Sequence, residues 1–179
     1  DIRFCALWTW FFIFDIIISL LRCGLGKGIV VFGFLAANDD KPPMPKKGPK
    51  WRPTVGLCEQ YTLPEGHEFL SQEGEHLPVG RAIDRYELFH DGLTANIETA
   101  KSVQQAVCEK SPKTILTCHQ FGHEDPHDLV AVVGELESFL GSYHFDYQNE
   151  EYYLHISLGS EIMTAAMYIV TANGVIQSP

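Results

Sequence analysis

The sequence predicts an α/β fold in which a mostly parallel sheet carries helices on both faces. Short apolar runs of strand length alternate along the chain with longer segments whose apolar residues keep a helical spacing. Polar or Gly/Pro-rich turns separate the two kinds of segment, and 45% of the 179 residues are hydrophobic, which is enough for one core. Parallel strands need a crossover between them, usually a helix, so strict alternation favours the parallel arrangement.

The first predicted strand covers residues 28–35, with the sequence GIVVFGFL. Such a β-branched and aromatic run is typical of a strand buried on both faces. A polar turn over 36–40 ends it, and the Pro/Lys/Gly-rich stretch 41–50 predicts a loop. A short helix is expected to begin near Pro53, since proline favours the first helical turn. Residues 63–81, rich in Gly, Glu and Pro, predict an exposed excursion.

The middle of the chain continues the same alternation. A second strand is predicted within 82–90, a helix over 93–110 and a third strand over 114–120. Asp125 as N-cap and Pro126 in the first turn are expected to begin the next helix. The apolar positions that support the two helices are Leu93, Ile97, Ala100, Val103 and Val107 in the first, and Leu129, Val132, Val133, Leu136, Phe139 and Leu140 in the second.

The fourth strand and its turn are the most informative stretch. The run 152–160, YYLHISLGS, passes directly into an apolar helical pattern from Glu161 to Val170. The free N–H groups and positive dipole end of a helix that begins at such a turn favour a bound anion such as phosphate. The alternative is that Ser160 serves only as an N-cap. Residues 174–177 predict the beginning of a fifth strand.

Charge and cysteine usage exclude several classes of protein. The net charge of −10 argues against a general nucleic-acid coat protein, because capture of a phosphate backbone needs a basic face. Basic residues are concentrated in one local patch, namely Lys41, Lys46, Lys47, Lys50 and Arg52. The five cysteines have no CxxC spacing and indicate free thiols of a reducing, cytoplasmic compartment.

A metal site is not expected from the histidines. His119, His123 and His127 recur at four-residue intervals, which on one helix would place them together. However, Gly122 and the Asp125–Pro126 pair interrupt that stretch, so a continuous helix is disfavoured there.

The first 27 residues are predicted to be separate from a domain that covers residues 28–179. Residues 4–21 form an apolar run at the lower limit for spanning a bilayer, with Asp15 in its middle. Three interpretations stay open: a membrane anchor, a helix packed on the domain or a partner, and sequence outside the natural domain. Arg22 and Lys27 follow the run and would leave the remaining chain on the cytoplasmic side if the run inserted.

The candidate site lies where the strands end, because ligands of open parallel sheets bind at the carboxyl ends near a reversal of strand order. In a nucleotide site, Arg52 would suit a phosphate and Trp51 would offer a stacking face. Alternatively, Trp51 covers the core and Arg52 pairs with a surface carboxylate. The predicted ligand-binding residues are Asn38, Asp39, Lys50, Trp51, Arg52, His90, Asp91, Ser157, Gly159 and Ser160.

No Ser-His-Asp or Cys-His nucleophilic set can be assigned from the residues. His155 and Ser157 are two positions apart in the fourth strand and are expected on the same face of the sheet. They could form an acid/base pair. The alternative is a core histidine satisfied by hydrogen bonds, which is the commoner arrangement.

Five segments, taken in order, carry a resemblance to a known family. They are residues 50–58 (KWRPTVGLC), 84–91 (DRYELFHD), 125–129 (DPHDL), 153–160 (YLHISLGS) and 176–179 (IQSP). Over about 150 residues from Gly28, the chain resembles the N-terminal sensor domain of the RtcR family, sigma-54-dependent activators of an RNA-repair operon. The resemblance implies a Rossmann-like CARF domain that forms a homodimer and binds nucleotides at the dimer face.

The chain departs from the family pattern at two turns. The family motif HITTGTH corresponds here to residues 155–161, HISLGSE, so Leu158 replaces a hydroxyl and Glu161 replaces a histidine. After the first strand, Ala36 and Ala37 stand where the family tends to have Gly-Thr. A carboxylate beside an anion site weakens phosphate binding.

The resemblance implies a ligand-sensing regulatory domain of a transcriptional regulator. Its ligand would be an RNA end or a cyclic oligonucleotide such as cyclic oligoadenylate, it would control a downstream AAA+ effector, and it would need no cofactor. One alternative is a ring-nuclease-like enzyme, for which His155, Ser157 and Lys50 are the candidate residues. Another is a degenerate domain that serves dimerisation alone.

Overall fold

Within the described residues, four strands form one parallel sheet: β1 (Gly28–Phe34), β2 (Arg85–His90), β3 (Ile115–Gln120) and β4 (Glu150–His155). The structure, a computed structural model, describes residues 27–42, 51–60, 82–121, 128–156 and 158–174. Across the sheet the order is β3-β2-β1-β4. The strand order therefore reverses between β1 and β4, which is where an open α/β sheet opens a crevice for ligands.

In the part of the chain that the structure describes, four helices cover both faces of this sheet: α1 (Pro53–Gln60), α2 (Thr94–Lys110), α3 (Leu129–Ser142) and α4 (Glu161–Ala172). α1 and α2 pack on one face through Val55, Val103 and Val107. α3 and α4 pack on the other through residues that include Leu136 and Met167. The predicted fold class, a parallel sheet between two helical layers, is confirmed.

The central strand β1 explains why the first apolar run is continuous. Its side chains alternate between the two faces, so that Val30 and Phe32 enter one core cluster and Ile29 and Val31 the other. Both faces are covered by helices, and every position from Ile29 to Phe34 is buried. A strand in this position needs apolar residues on both faces.

The helix α3 begins later than the sequence indicated. Its N-cap is Asp128, whose carboxylate accepts hydrogen bonds from the Val130 and Ala131 amides at 2.9 and 3.2 Å. The prediction that Asp125 is the N-cap was therefore wrong, because a second aspartate three residues later satisfies the free amides of the first turn. Asp125 and Pro126 themselves lie outside the described residues.

Several other predictions also fall outside the described residues. They concern the apolar run 4–21, most of the loop 41–50, the excursion 63–81, His123 and His127, and the fifth strand beyond Gly174. Within the ranges that the structure describes, no helix has the length and apolarity that crossing a bilayer requires. In the same part of the chain, no three His, Cys, Asp or Glu side chains are grouped so that they could hold a metal ion.

Candidate ligand pocket

A pocket of about 390 Å³ opens at the carboxyl edge of the sheet, around the reversal of strand order between β1 and β4. Its wall comes from the loop after β1, the end of β2 and the beginning of α2, and the turn that precedes α4. The residues that line it are Leu35, Ala36, Ala37, Asn38, Asp39, Phe89, His90, Asp91, Leu93, Asn96, Leu158, Gly159, Ser160 and Met163. The predicted residues among them are Asn38, Asp39, His90, Asp91, Gly159 and Ser160.

The loop after β1, residues 35–39, forms the first of three rims around the pocket. The buried Asp40 fixes the conformation of this loop through hydrogen bonds. The Asp40 amide donates to the Ala36 carbonyl at 2.7 Å, and the Asp40 carboxylate accepts from the Ala36 amide at 3.3 Å. Thr54 at the beginning of α1 donates to the same carboxylate through its amide at 3.1 Å and its hydroxyl at 2.7 Å. Burial raises the pKa of Asp40, against the lowering by its hydrogen bonds with Thr54. Sequence reasoning did not single out either residue.

The second rim joins the end of β2 to α2. His90 Nδ1 lies 2.6 Å from the Asp91 carbonyl oxygen, which can only accept, so this nitrogen carries a proton. The Asp91 carboxylate accepts from the Leu93 amide at 3.1 Å and from the Asn96 side-chain amide at 2.8 and 2.9 Å. These bonds fix Asn96 in the pocket wall. Asn96 was not predicted, because its only signal is its position one turn after a strand-end carboxylate.

The third rim is the turn before α4. Ser160 is the N-cap of α4, and its hydroxyl accepts from the Met163 amide at 3.3 Å. The N-cap role considered for Ser160 is therefore real. The amides of Glu161 and Ile162 have no acceptor within the helix, as at the first turn of any α-helix. Together with the positive end of the helix dipole they form a position that favours an anion.

Gly159 allows this turn to approach β1 closely. Its φ of +93° lies in the region that favours glycine, and a Cβ there would lie 2.9 Å from the Phe34 Cβ. We expect Gly159→Ala to lower the free energy of unfolding by about 2 kcal/mol through backbone strain and overlap. Gly174→Ala is the matched control, because Gly174 has a φ of +72° but open space around it, and should cost about 1 kcal/mol.

Urea unfolding of both variants measures the difference. Equal losses of stability for Gly159→Ala and Gly174→Ala would show that the contact with Phe34 is not restrictive.

The polar part of the pocket wall is acidic and amide-rich. Asp39 and Asp91 contribute carboxylates, and Asn38 and Asn96 contribute amides. Glu161 adds a further carboxylate in the first turn of α4. Among the described residues that line the pocket, there is no lysine or arginine. Such a wall suits the hydroxyl and amine groups of a ligand better than a series of phosphates.

Trp51 and Arg52 lie outside the pocket wall. The Trp51 indole is 65% exposed and lies against α1, where a side chain at Gly56 would overlap it. Arg52 donates through Nε to the Asp40 carbonyl at 2.7 Å and through Nη2 to the Ser102 hydroxyl at 3.3 Å. Lys50 and Ser157, the other two predicted residues, are outside the described residues.

His155 has the environment of a core histidine. Its Nδ1 lies 2.8 Å from the Tyr86 phenol oxygen, and burial lowers the pKa of His155 to about 4. The ring is therefore neutral near pH 7. His155 is not part of the pocket wall, and this agrees with the alternative of a histidine satisfied by hydrogen bonds in the core.

Comparisons with known proteins agree with this fold. The family RtcR, described as the regulator of RNA terminal phosphate cyclase, matches residues 27–178. The transcriptional regulatory protein RtcR of Escherichia coli K12 is 25% identical over 142 residues, which is 79% of this chain and 23% of that protein. The chain thus spans about a quarter of the length of this relative.

A solved structure extends the comparison to the fold. Enterococcus italicus Csm6 bound to cyclic hexa-2'-fluoro-hexa-dAMP superimposes with a TM-score of 0.55 at 14% identity. The superposition covers 84% of this chain and 32% of that one. The expected Rossmann-like architecture, a parallel sheet with helices on both faces, is thereby confirmed.

Proposed function

Because the chain belongs to the RtcR family, the regulators of RNA terminal phosphate cyclase, we propose that its pocket binds a phosphate-bearing ribonucleotide. The domain is a regulatory sensing domain, and in this proposal it binds its ligand without converting it. The observation that carries the proposal is the pocket at the reversal of strand order, whose wall includes Ser160 and Met163 at the beginning of α4.

The shape of the pocket favours one nucleotide unit. Its volume of about 390 Å³ lies in the lower part of the range for pockets that bind small molecules. The free amides at the beginning of α4 can receive one phosphate. In the same wall, the carboxylates of Asp39 and Asp91 offer acceptors to the ribose hydroxyls and the base edge, and Asn96 offers a side-chain amide. A ligand with several phosphates close together fits this acidic wall poorly.

Such a nucleotide could belong to an RNA terminus or to a cyclic oligonucleotide. The family description supports an RNA end that carries a phosphate. The similar fold of Csm6, whose solved structure is bound to cyclic hexa-2'-fluoro-hexa-dAMP, supports the cyclic ligand. Both present the same chemistry to the pocket, namely a phosphate beside a sugar and a base.

The regulatory output is proposed to lie elsewhere in a longer protein. The E. coli relative is about four times as long as the matched segment, and we expect an AAA+ effector downstream of this domain. Ligand binding would favour one arrangement of a homodimer and so control the effector. Leu93, 61% exposed at the pocket rim, is a residue that a second copy could cover.

Two substitutions at the beginning of α4 should change ligand affinity in opposite directions. Ser160→Asp keeps a good N-cap but puts a negative charge at the anion position, so affinity should fall about tenfold or more. Glu161→Gln removes a competing charge and should raise affinity about two- to fivefold. Calorimetry on the full chain would use RNA ending in a 2′,3′-cyclic phosphate, the same RNA ending in a 3′-hydroxyl, and cyclic hexaadenylate.

The three probes separate the two sources of the nucleotide. Binding that requires the terminal phosphate identifies an RNA end, and binding of cyclic hexaadenylate alone identifies the cyclic ligand. The proposal fails if none of the probes binds, or if Ser160→Asp leaves the affinity unchanged.

The ring-nuclease alternative makes a different prediction. His155 is neutral, partly buried and engaged with Tyr86, so we expect the bound ligand to remain intact. Chromatography of each probe after incubation with the purified chain tests this. Turnover that disappears in a His155→Ala variant would instead support an enzyme, with Lys50 and Ser157 as the next residues to change. Until then, binding roles for Lys50, Trp51, Arg52 and Ser157 stay predictions.

A further inference from the structure

We propose that the exposed indole of Trp51 stacks on the base that flanks the nucleotide bound in the pocket, so that the domain recognises an RNA strand and not a single nucleotide. The surface that would contact the strand consists of Trp51 and Arg52, which precede α1, and Lys41, two residues after the first rim. All three lie outside the pocket wall. The inference rests on the proposed function, since this surface extends the same pocket beyond its first rim.

Trp51 is exposed although it is a large aromatic residue. It is 65% exposed, so most of an apolar ring system faces water. Aromatic side chains of this size usually contribute to a core or to an interface. A single exposed apolar residue is nevertheless ordinary on a protein surface. The role of Trp51 therefore follows from what supports the indole and from where it lies.

Gly56 lets the indole lie against the backbone of α1. A Cβ at Gly56 would overlap Trp51 Nε1 and would lie 2.9 Å from Cε2 and 3.3 Å from Cδ1 of the same ring. Gly56 is buried, and glycine inside a helix is destabilising relative to alanine. A methyl group here would displace the indole. A ring that is already held in place loses little freedom when a base stacks on it.

Asp40 joins this surface to the first rim of the pocket. Its carbonyl accepts from Arg52 Nε at 2.7 Å, and its carboxylate accepts from the amide and the hydroxyl of Thr54 at 3.1 and 2.7 Å. Asp39, the preceding residue, lines the pocket. Three residue steps separate Trp51 from Thr54, a span of at most about 11 Å. The indole is therefore held near the pocket, on the side of the first rim.

The cations beside this rim suit the phosphate that links two nucleotides. Lys41 is exposed, and its Nζ lies 3.4 Å from Oδ1 of Asn38, which lines the pocket. Arg52 adds a second positive charge, which the Asp40 carboxylate offsets in part. By contrast, the described residues that line the pocket include no lysine or arginine. Charge complementarity thus favours a strand whose backbone leaves the pocket across the first rim.

Two substitutions remove the stacking position in different ways. Trp51→Ala removes the ring, and because Trp51 is exposed this variant should fold like the unmodified chain. Gly56→Ala keeps the ring but fills the space in which it lies. Trp51→Phe keeps an aromatic face. The matched controls are Tyr168→Ala, which removes another exposed ring, on α4, and Gly134→Ala, a helical glycine with open space around it.

Calorimetry on the full chain would compare adenosine 2′,3′-cyclic phosphate with an adenosine trinucleotide that ends in the same cyclic phosphate. Trp51→Ala and Gly56→Ala should each weaken binding of the trinucleotide about tenfold, the loss expected for one base–aromatic stack, and binding of the mononucleotide by less than about twofold. Trp51→Phe and both controls should stay within about threefold for either ligand. Equal losses for the two ligands would overturn the inference, because the indole would then only support the first rim. Unchanged trinucleotide affinity in Trp51→Ala would also overturn it.

Nitrogen-15 NMR of the indole N–H groups separates failure of this inference from failure of the proposed function. The chain has three tryptophans, and Trp51→Phe identifies the signal of Trp51. If the trinucleotide shifts the amides of residues 159–162 but not this signal, the inference is overturned and the proposed function stands. If it shifts the Trp51 signal alone, the proposed function fails and Trp51 remains an RNA-stacking residue. No shift at either place overturns both.

A second copy of the chain is the competing occupant of this surface. In that case the Trp51 indole signal would change with protein concentration in the absence of RNA. Such a change, together with no response to the trinucleotide, would overturn the inference.

Discussion

Alanine at Gly33 is expected to lower the free energy of unfolding by about 3–4 kcal/mol. The added methyl would overlap the phenol oxygen of Tyr86, a side chain that is completely buried. Relief of the overlap requires Tyr86 to give up its hydrogen bond with His155. The energetic cost of overpacking and the cost of losing a buried hydrogen bond therefore add.

Gly28→Ala is the matched control for this prediction. Gly28 lies in the same strand, but a Cβ added there would have its nearest neighbouring atom 3.5 Å away, which is an ordinary contact. The cost of this substitution should stay below about 1 kcal/mol. Urea unfolding of both variants measures these costs. Similar losses of unfolding free energy for Gly33→Ala and Gly28→Ala would contradict the role given to Gly33.

The second large effect is expected at Glu87, a 5% exposed carboxylate between β2 and α3. It accepts from His119 Nε2 at 2.7 Å and from the Tyr143 hydroxyl at 2.9 Å. Burial alone would raise the pKa of Glu87, but these hydrogen bonds outweigh burial and lower it. Glu87→Ala should cost about 3–4 kcal/mol, because His119 and Tyr143 both lose the buried acceptor of their hydrogen bonds.

The pH dependence follows from the lowered pKa of Glu87. A carboxyl group that is more acidic in the folded state stabilises it above the unfolded pKa and loses that effect as the pH falls through the folded pKa. The stability advantage of the unmodified chain over Glu87→Gln should therefore shrink as the pH falls below about 4, the ordinary range of glutamic acid. Urea unfolding of both proteins at neutral and acidic pH measures this advantage. A difference in unfolding free energy that stays constant with pH would contradict the role given to the Glu87 carboxylate.

Much of the fold could be predicted because its signals are local. The run 28–35 is apolar throughout since β1 is covered on both faces, and the helical spacing of Val103 and Val107 reflects one packed face of α2. Boundaries were harder to predict where two residues offer the same signal. Asp125 and Asp128 are both good N-caps, and the structure assigns the cap to Asp128.

Only those site residues that lie at the ends of strands could be predicted from the sequence. Asn38, His90 and Gly159 lie at or just after the ends of three strands that end at one edge, so their proximity follows from topology. The Arg52 side chain is suited to bind phosphate, but the direction in which it points is set by its hydrogen bond to the Asp40 carbonyl. That contact joins two loops, and no local sequence pattern predicts it. The link from Tyr86 to His155 across Gly33 likewise depends on strand order, which no local pattern encodes.

The central claim is that the pocket between the ends of β1 and β4 receives a phosphate-bearing ribonucleotide. Its most direct test is NMR titration of the nitrogen-15-labelled full chain with RNA ending in a 2′,3′-cyclic phosphate and, separately, with cyclic hexaadenylate. We predict that one of them causes saturable changes that are largest at the amides of residues 36–39, Asp91 and residues 159–162. Saturable changes confined to other surfaces, or no change with either probe, would contradict the claim.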